Sequence, residues 1–148
     1  MNPVFASLPT TIFDVMSSLA REKGAINLGQ GFPEIDGYPD IREAAARATL
    51  GGPNQYPPML GLPETREAVA KHYKAAQGLD LDWRTEVTIT SGATEAIAAS
   101  LLALIAPGDE VLLFEPLYDA YLPLVQRAGG VARFARLEPP EWKITEEM

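Results

Sequence analysis

Apolar residues recur at helical spacing near the start of the chain and form short continuous runs further along. The first pattern predicts a helix that begins after an N-cap at Thr10 or Thr11 and ends at Gly24. Its apolar face is predicted to hold Ile12, Val15, Met16 and Leu19. A short extended stretch at 25–28 then leads into a glycine turn, where the backbone can approach a ligand closely or form a plain surface turn.

Two more helices are predicted before residue 80. An alanine-rich helix covers 39–50, and residues 54–63 are too rich in proline and glycine for regular structure. Pro63 suits the first turn of the next helix, and Gly78 ends it. The apolar face of this helix is predicted to hold Val69, Tyr73 and Ala76. Residues 80–84 are predicted to form a linker.

The second half of the chain alternates strand and helix patterns. Strands are predicted at 86–90, 110–114 and 131–136, with helices at 93–105 and up to about residue 128. The strand at 110–114 lacks polar alternation, which is typical of a parallel strand covered on both faces, and the helix at 93–105 is apolar almost all round and is therefore predicted to be buried. This order predicts an α/β fold with a parallel sheet and right-handed crossovers.

Ligands of such sheets bind beyond the carboxyl ends of the strands, where Thr90–Thr94 and Glu115–Tyr118 lie. A helix start offers unpaired N–H groups and partial positive charge to an anion. Tyr118 can stack a planar ring beside that site. The groups that can surround a phosphate are the amides of Gly92, Ala93 and Thr94 and the hydroxyls of Ser91 and Thr94. Spacing alone equally fits a Ser91 helix cap and a core Tyr118, and cap and anion site can coexist.

Composition narrows the class of function. With 12 Lys and Arg against 20 Asp and Glu, the net charge of −8 disfavours nucleic acid and anionic membranes as partners. The absence of cysteine excludes disulfides and a thiol nucleophile, and the single histidine, His72, is predicted on a surface helix. We therefore expect no metal site and no Ser-His triad. The N-terminus has no signal-peptide pattern and the apolar run Ala96–Ala106 is too short for a membrane span, so we expect a cytoplasmic location.

Five motifs, taken together, point to a known family. They are Ile26-Asn27-Leu28-Gly29-Gln30-Gly31-Phe32-Pro33, Asn54-Gln55-Tyr56 with Gly61-Leu62-Pro63, Thr88-Ile89-Thr90-Ser91-Gly92-Ala93-Thr94-Glu95-Ala96, Pro107-Gly108-Asp109-Glu110-Val111, and Glu115-Pro116-Leu117-Tyr118-Asp119-Ala120-Tyr121. In this order and spacing the chain resembles the fold-type I, pyridoxal-phosphate-dependent aminotransferases of class I/II. It looks closest to the methionine and kynurenine (glutamine-type) branch.

The resemblance implies a fold and a division of the chain. The fold would be the N-terminal part of a three-layer α/β/α large domain. Residues 1–40 would form an N-terminal arm, a helix and a segment on the substrate side. Residues 41–148 would form the first part of the domain that binds pyridoxal phosphate.

The resemblance also implies which residues bind the cofactor. Ala93 and Thr94 would bind the phosphate of pyridoxal phosphate, and Ser91 and Gly92 would shape the turn that presents their amides. Tyr118 would stack on the pyridine ring.

Three more residues receive roles by the same resemblance. Gly31 would offer its backbone N–H to the α-carboxylate of the substrate, and Phe13 would line the pocket for the substrate side chain. Tyr56 would reach across the interface of a homodimer to the cofactor phosphate of the partner subunit.

The implied reaction moves an amino group from a methionine-like or aromatic amino acid to a 2-oxo acid. The lysines are Lys23, Lys71, Lys74 and Lys143, and none stands in the context of the family's Schiff-base lysine. We therefore expect no catalytic residue in this chain, and no activity from the chain alone. Two alternatives stay open: a non-catalytic dimerisation or binding fragment, and a parent enzyme that performs β-elimination on cysteine conjugates.

Overall fold

The computed structural model describes residues 2–31, 33 and 35–146. The chain divides into two compact units, one of residues 1–18 and 91–148 and the other of residues 19–90. In chain order the elements are α1 (Pro3–Ala6), α2 (Ile12–Lys23), α3 (Pro39–Gly51), α4 (Pro63–Gln77), α5 (Trp83–Glu86), α6 (Ala93–Leu104), β1 (Glu110–Glu115), α7 (Tyr121–Ala128) and β2 (Val131–Arg136).

The predicted helices before residue 80 are confirmed as α2, α3 and α4. Proline occupies the first turn of α3 and of α4, where its missing N–H would have had no partner within the helix. Gly78 ends α4 in the left-handed conformation; its amide donates to the Lys74 carbonyl, and the Leu79 amide donates to the Tyr73 carbonyl. The apolar face of α2 is where predicted, but its side chains are exposed in this chain.

The buried face of α4 differs from the prediction. Instead of the predicted stripe of Val69, Tyr73 and Ala76, the helix buries Ala70 and Arg66, the latter only 7% exposed. Arg66 donates Nε to the Val87 carbonyl at 2.7 Å and Nη2 to the Arg84 carbonyl at 2.8 Å. Its guanidinium lies 5.5 Å from the centre of the Trp83 ring. An arginine is buried there because α5 packs on α4 and leaves carbonyls that an apolar side chain would not satisfy.

The strand predicted at 86–90 is wrong. Glu86 closes the short helix α5, and the residues after it pair with neither strand of the sheet. Val87 is extended, but its carbonyl accepts from Arg66, and the Ile89 amide donates to the Leu60 carbonyl at 3.0 Å. The hydrogen bonds of this segment are therefore made to a side chain and to a loop rather than to a neighbouring strand.

The parallel sheet is confirmed for the other two strands. β1 and β2 pair in parallel from Glu110 opposite Val131 to Glu115 opposite Arg136, and α7 connects them and packs on both. Arg133 donates to the Glu110 carboxylate on the neighbouring strand, and this hydrogen bond, together with the opposite charge, raises the pKa of Arg133 above its ordinary value.

Two burial predictions are wrong for this chain. β1 alternates between exposed and half-buried residues, with Leu112 and Phe114 on the exposed face, and α6 contains no buried residue. Both elements lack cover on one side. Among the described helices, α7 is the one that packs on these strands, and α6 packs on α7 rather than on the sheet. Within the described part of the chain, no helix is long and apolar enough to span a bilayer.

Gly61, near the end of the proline-rich loop between α3 and α4, allows a test of how this loop packs against Ile89. Gly61 has φ +100°, and a Cβ built on it would lie 2.6 Å from Cγ1 of Ile89. Gly61→Ala should lower the free energy of unfolding by about 1–3 kcal/mol, because it combines a strained φ with a close contact. Urea denaturation of the chain measures the change.

The matched control is Gly51→Ala, at the end of α3. A Cβ there meets no atom within 4 Å and the glycine has no positive φ, so stability should be unchanged or slightly raised. Equal losses in both variants would contradict the packing of the loop against Ile89.

Candidate functional site

The turn before α6 is built around Gly92, the N-cap of this helix. Gly92 has φ 85° and ψ 168°, a conformation that is essentially restricted to glycine. The amide of Ser91 donates to the carboxylate of Glu95, which closes the turn from within. Because Gly92 is the N-cap and makes no side-chain cap, the interpretation of Ser91 as the capping residue is not supported.

The first-turn amides of α6 are placed as an anion site requires. Ala93 and Thr94 are the first two residues of the helix, so their N–H groups have no acceptor within it and carry partial positive charge. Ser91, Gly92, Ala93 and Thr94 are all exposed. The turn is therefore open to solvent, and its role in binding an anion stays a prediction.

Three aromatic side chains gather beside the end of β1. The Tyr118 ring centre lies 6.0 Å from that of Phe13 and 5.6 Å from that of Tyr121, the latter in an edge-to-face contact. Tyr118 is 47% exposed, so it is not a core residue. Phe13 and Tyr118 were predicted for the substrate pocket and the cofactor ring, and the structure brings them together.

The turn and the loop after β1 also border one cavity. Thr94 lies on its wall together with Leu117 and Asp119, the two neighbours of Tyr118. The cavity has a volume of about 620 Å³ and is otherwise lined mainly by apolar side chains of residues 5–12 and 120–124. Both loops therefore contribute to the wall of this cavity, whereas Tyr118 is not among its lining residues, and a shared ligand cleft stays a prediction.

The other two predicted site residues lie in the second unit. Gly31 is in an irregular exposed stretch, and a Cβ built on it would meet no atom within 4 Å. Tyr56 is 98% exposed on the loop between α3 and α4. Their roles in substrate and partner binding stay predictions.

The lysines within the described helices are surface residues. Lys23 pairs with Glu22 at 2.6 Å, and Lys71 pairs with Glu67 at 3.2 Å. Lys74 pairs with an aspartate beyond the end of α4. All of them are well exposed, so each lies in a solvent-facing ion pair.

Two residues of the site were not singled out in the sequence. Glu95 is three residues after the N-cap, the position from which a glutamate side chain reaches back to the turn. Tyr121 is three residues after Tyr118, a spacing that brings side chains together where a helix begins. These two spacings are the sequence signals from which the contacts of Glu95 and Tyr121 could have been predicted.

Comparison with known proteins identifies the family. Residues 23–147 match aminotransferase class I and II. The chain belongs to this family. Its members depend on pyridoxal phosphate, and the resemblance drawn from the sequence motifs is confirmed.

Individual relatives agree with this assignment. The chain is 54% identical over 121 residues to a probable N-succinyldiaminopimelate aminotransferase of Mycobacterium tuberculosis, and these residues are 82% of this chain and 30% of that protein. It is 43% identical over 137 residues to methionine aminotransferase of Escherichia coli, which is 93% of this chain and 36% of that protein. The chain thus spans about a third of the length of these relatives.

Solved structures confirm the predicted fold. A crystal structure from Escherichia coli, described as a methionine aminotransferase, superposes with a TM-score of 0.91 at 41% identity. The matched region is 98% of this chain and 38% of the Escherichia coli chain. The N-succinyldiaminopimelate aminotransferase of Mycobacterium tuberculosis superposes with a TM-score of 0.88 at 48% identity, covering 95% of this chain and 36% of its own. The chain therefore has the α/β fold of the fold-type I aminotransferases over this segment. The division into residues 1–40 and 41–148 stays a prediction.

The glycine of the turn can be tested directly. Gly92→Ala should lower the free energy of unfolding by about 1–3 kcal/mol, because alanine disfavours the observed backbone conformation. A Cβ at this position would meet no atom within 4 Å, so the loss would come from the backbone and not from packing. Thermal unfolding followed by circular dichroism measures it.

Ser91→Ala is the control for Gly92→Ala. It removes a hydroxyl from the same turn but demands no change of backbone conformation, and its cost should stay below about 1 kcal/mol. A Gly92→Ala variant as stable as Ser91→Ala would contradict the glycine-only conformation at the N-cap.

Proposed function

We propose that the protein is an aminotransferase that uses pyridoxal phosphate to move an amino group from an amino acid to a 2-oxo acid. One observation carries the proposal: within a single unit of a class I/II aminotransferase chain, the exposed first turn of α6 and the loop that carries the exposed Tyr118 contribute residues to one cavity, Thr94 from the helix and Leu117 and Asp119 from the loop. One feature suits a phosphate and the other suits a planar ring.

The described residues fit the phosphate of this cofactor. Amides of Ala93 and Thr94 donate at the positive end of a twelve-residue helix, and the hydroxyls of Ser91 and Thr94 add further donors. Gly92 has no Cβ, so the backbone can approach the phosphate oxygens closely. The phosphate would thus be held mainly by backbone dipoles.

The residues also fit the ring of the cofactor. The exposed Tyr118 offers an aromatic ring on which the cofactor ring could stack, and Phe13 lies beside it. When bound, pyridoxal phosphate supplies an electron sink that weakens the bonds at the α-carbon of an amino acid. The residues of this chain bind and orient the cofactor, and we propose no catalytic residue among them.

The substrate class proposed for the site is methionine-like or aromatic amino acids. Phe13 lies against Tyr118, so a substrate side chain near the cofactor ring would meet an aromatic wall. Methionine aminotransferase of Escherichia coli is among the relatives, which supports this choice. Gly31 would bind the α-carboxylate through its amide.

The assembly proposed for the protein is a homodimer in which Tyr56 contacts the partner subunit. Tyr56 is 98% exposed and Met59 is 99% exposed on the same loop, and large apolar side chains this exposed are typical of contact surfaces. The end of the loop is anchored, because the Leu60 carbonyl accepts from the Ile89 amide at 3.0 Å.

Ligand binding tests the proposed cofactor site. Pyridoxine phosphate lacks the aldehyde and forms no imine with surface lysines, and pyridoxine lacks the phosphate as well. We expect the 148-residue chain to bind pyridoxine phosphate at least about tenfold more tightly than pyridoxine, since charge-assisted hydrogen bonds contribute about 1.5–3 kcal/mol each. Isothermal titration calorimetry measures both affinities. Equal affinities would contradict the phosphate site.

Sedimentation velocity tests the proposed dimer. We expect concentration-dependent association of the chain, and expect Tyr56→Ala to weaken it by about tenfold, since anchor tyrosines contribute roughly 1–2 kcal/mol at interfaces. Tyr73→Ala, on the exposed side of α4, removes a tyrosine elsewhere and should leave association unchanged. Monomeric behaviour of the wild-type chain at all concentrations would contradict a dimer formed by this segment.

A further inference from the structure

The ring of Tyr118 is held by a neighbour to which no role has yet been assigned. The Tyr121 ring meets it edge to face, with ring centres 5.6 Å apart and planes inclined at 65°. The Tyr121 amide also donates to the Tyr118 carbonyl at 3.1 Å. The two residues are therefore linked both by side chain and by backbone.

This contact leaves the stacking surface of Tyr118 available. Tyr121 is half-buried at the first position of α7, whereas Tyr118 is 47% exposed in the loop before this helix. Phe13 contacts Tyr118 as well, at 6.0 Å and a tilt of 42°. Two rings thus contact Tyr118, while 47% of the residue remains exposed to solvent.

We propose that Tyr121 is a positioning residue for cofactor binding: its ring fixes the plane of Tyr118 before the pyridine ring arrives. The proposal rests on the proposed function, because it concerns the stacking of the cofactor ring on Tyr118. An exposed tyrosine without such a neighbour rotates freely and must lose that freedom when a ligand stacks on it. Immobilising a side chain costs about 0.5–1.5 kcal/mol on binding, so a ring fixed in advance binds more tightly.

The proposed contact between Tyr121 and Tyr118 does not require the phenol hydroxyl of Tyr121. An edge-to-face contact depends on the quadrupoles of the two rings, and phenylalanine supplies the same ring. Leucine is apolar but smaller and has no ring. The pair Tyr121→Phe and Tyr121→Leu therefore separates loss of the hydroxyl, common to both variants, from loss of the ring, which occurs only in Tyr121→Leu.

The test compares two probes on the 148-residue chain. Pyridoxine phosphate carries both the ring and the phosphate, whereas inorganic phosphate occupies only the turn before α6. In Tyr121→Leu we expect the affinity for pyridoxine phosphate to fall about two- to tenfold and the affinity for inorganic phosphate to stay unchanged. Tyr121→Phe should bind both probes like the wild type. Circular dichroism confirms that each variant is folded, and Tyr121→Met serves as a second ring-free variant if Tyr121→Leu does not fold.

Tyr73→Leu is the matched control, since Tyr73 also makes an edge contact with an aromatic ring, that of His72, but lies in the other unit. It should bind both probes like the wild type. Three results would overturn the role of Tyr121 but not the proposed function. They are unchanged binding of pyridoxine phosphate in Tyr121→Leu, an equal loss for both probes, or a loss in Tyr121→Phe as large as in Tyr121→Leu. A wild-type chain that binds pyridoxine phosphate no more tightly than pyridoxine would overturn the proposed function and this inference together.

Discussion

The first-turn amides of α6 are the constraint around which the candidate site is arranged. The helix that starts at Ala93 directs its first N–H groups away from its N-terminal end, and these groups need an acceptor outside the helix. Gly92 makes the start possible because only glycine readily adopts its backbone conformation. The Glu95 carboxylate accepts from the Ser91 amide and closes the turn, while the amides of Ala93 and Thr94, the first two residues of the helix, have no acceptor within it.

The aromatic group beside β1 complements this turn. A phosphate at the helix start fixes one end of a cofactor, and a flat ring on Tyr118 would fix the other. The order of the chain explains why the two lie in one unit: α6 leads to β1, and the loop after β1 carries Tyr118. Phe13 reaches the same group from α2, although about 100 residues separate it from Tyr118.

Local signals predicted the helices well. Proline at the start and glycine at the end mark α4 because they act through the backbone of a few residues, and the parallel pairing of β1 with β2 follows from the helix between them. The residues of the turn and Tyr118 were predicted because the family pattern gives them a role, whereas Tyr121 and Glu95 stand in the same motifs, contact neighbouring residues and were given no role.

Burial was predicted less well, because it depends on which elements lie nearby. The apolar pattern of β1 predicts cover on both faces, but α7 is the described helix that packs on it, and Leu112 stays exposed. The strand expected near Val87 failed for a similar reason. The Val87 carbonyl accepts a hydrogen bond from Arg66 of α4, and nothing in the local pattern of Glu86–Thr90 indicates that partner.

Amide chemical shifts of the isotope-labelled 148-residue chain during a titration with pyridoxine phosphate test the central claim most directly. The account predicts that the largest shifts fall on the amides of Gly92, Ala93 and Thr94 and that the ring protons of Tyr118 move in the same titration. Shifts concentrated at the start of another helix, such as α4, with the amides before α6 unmoved, would contradict it.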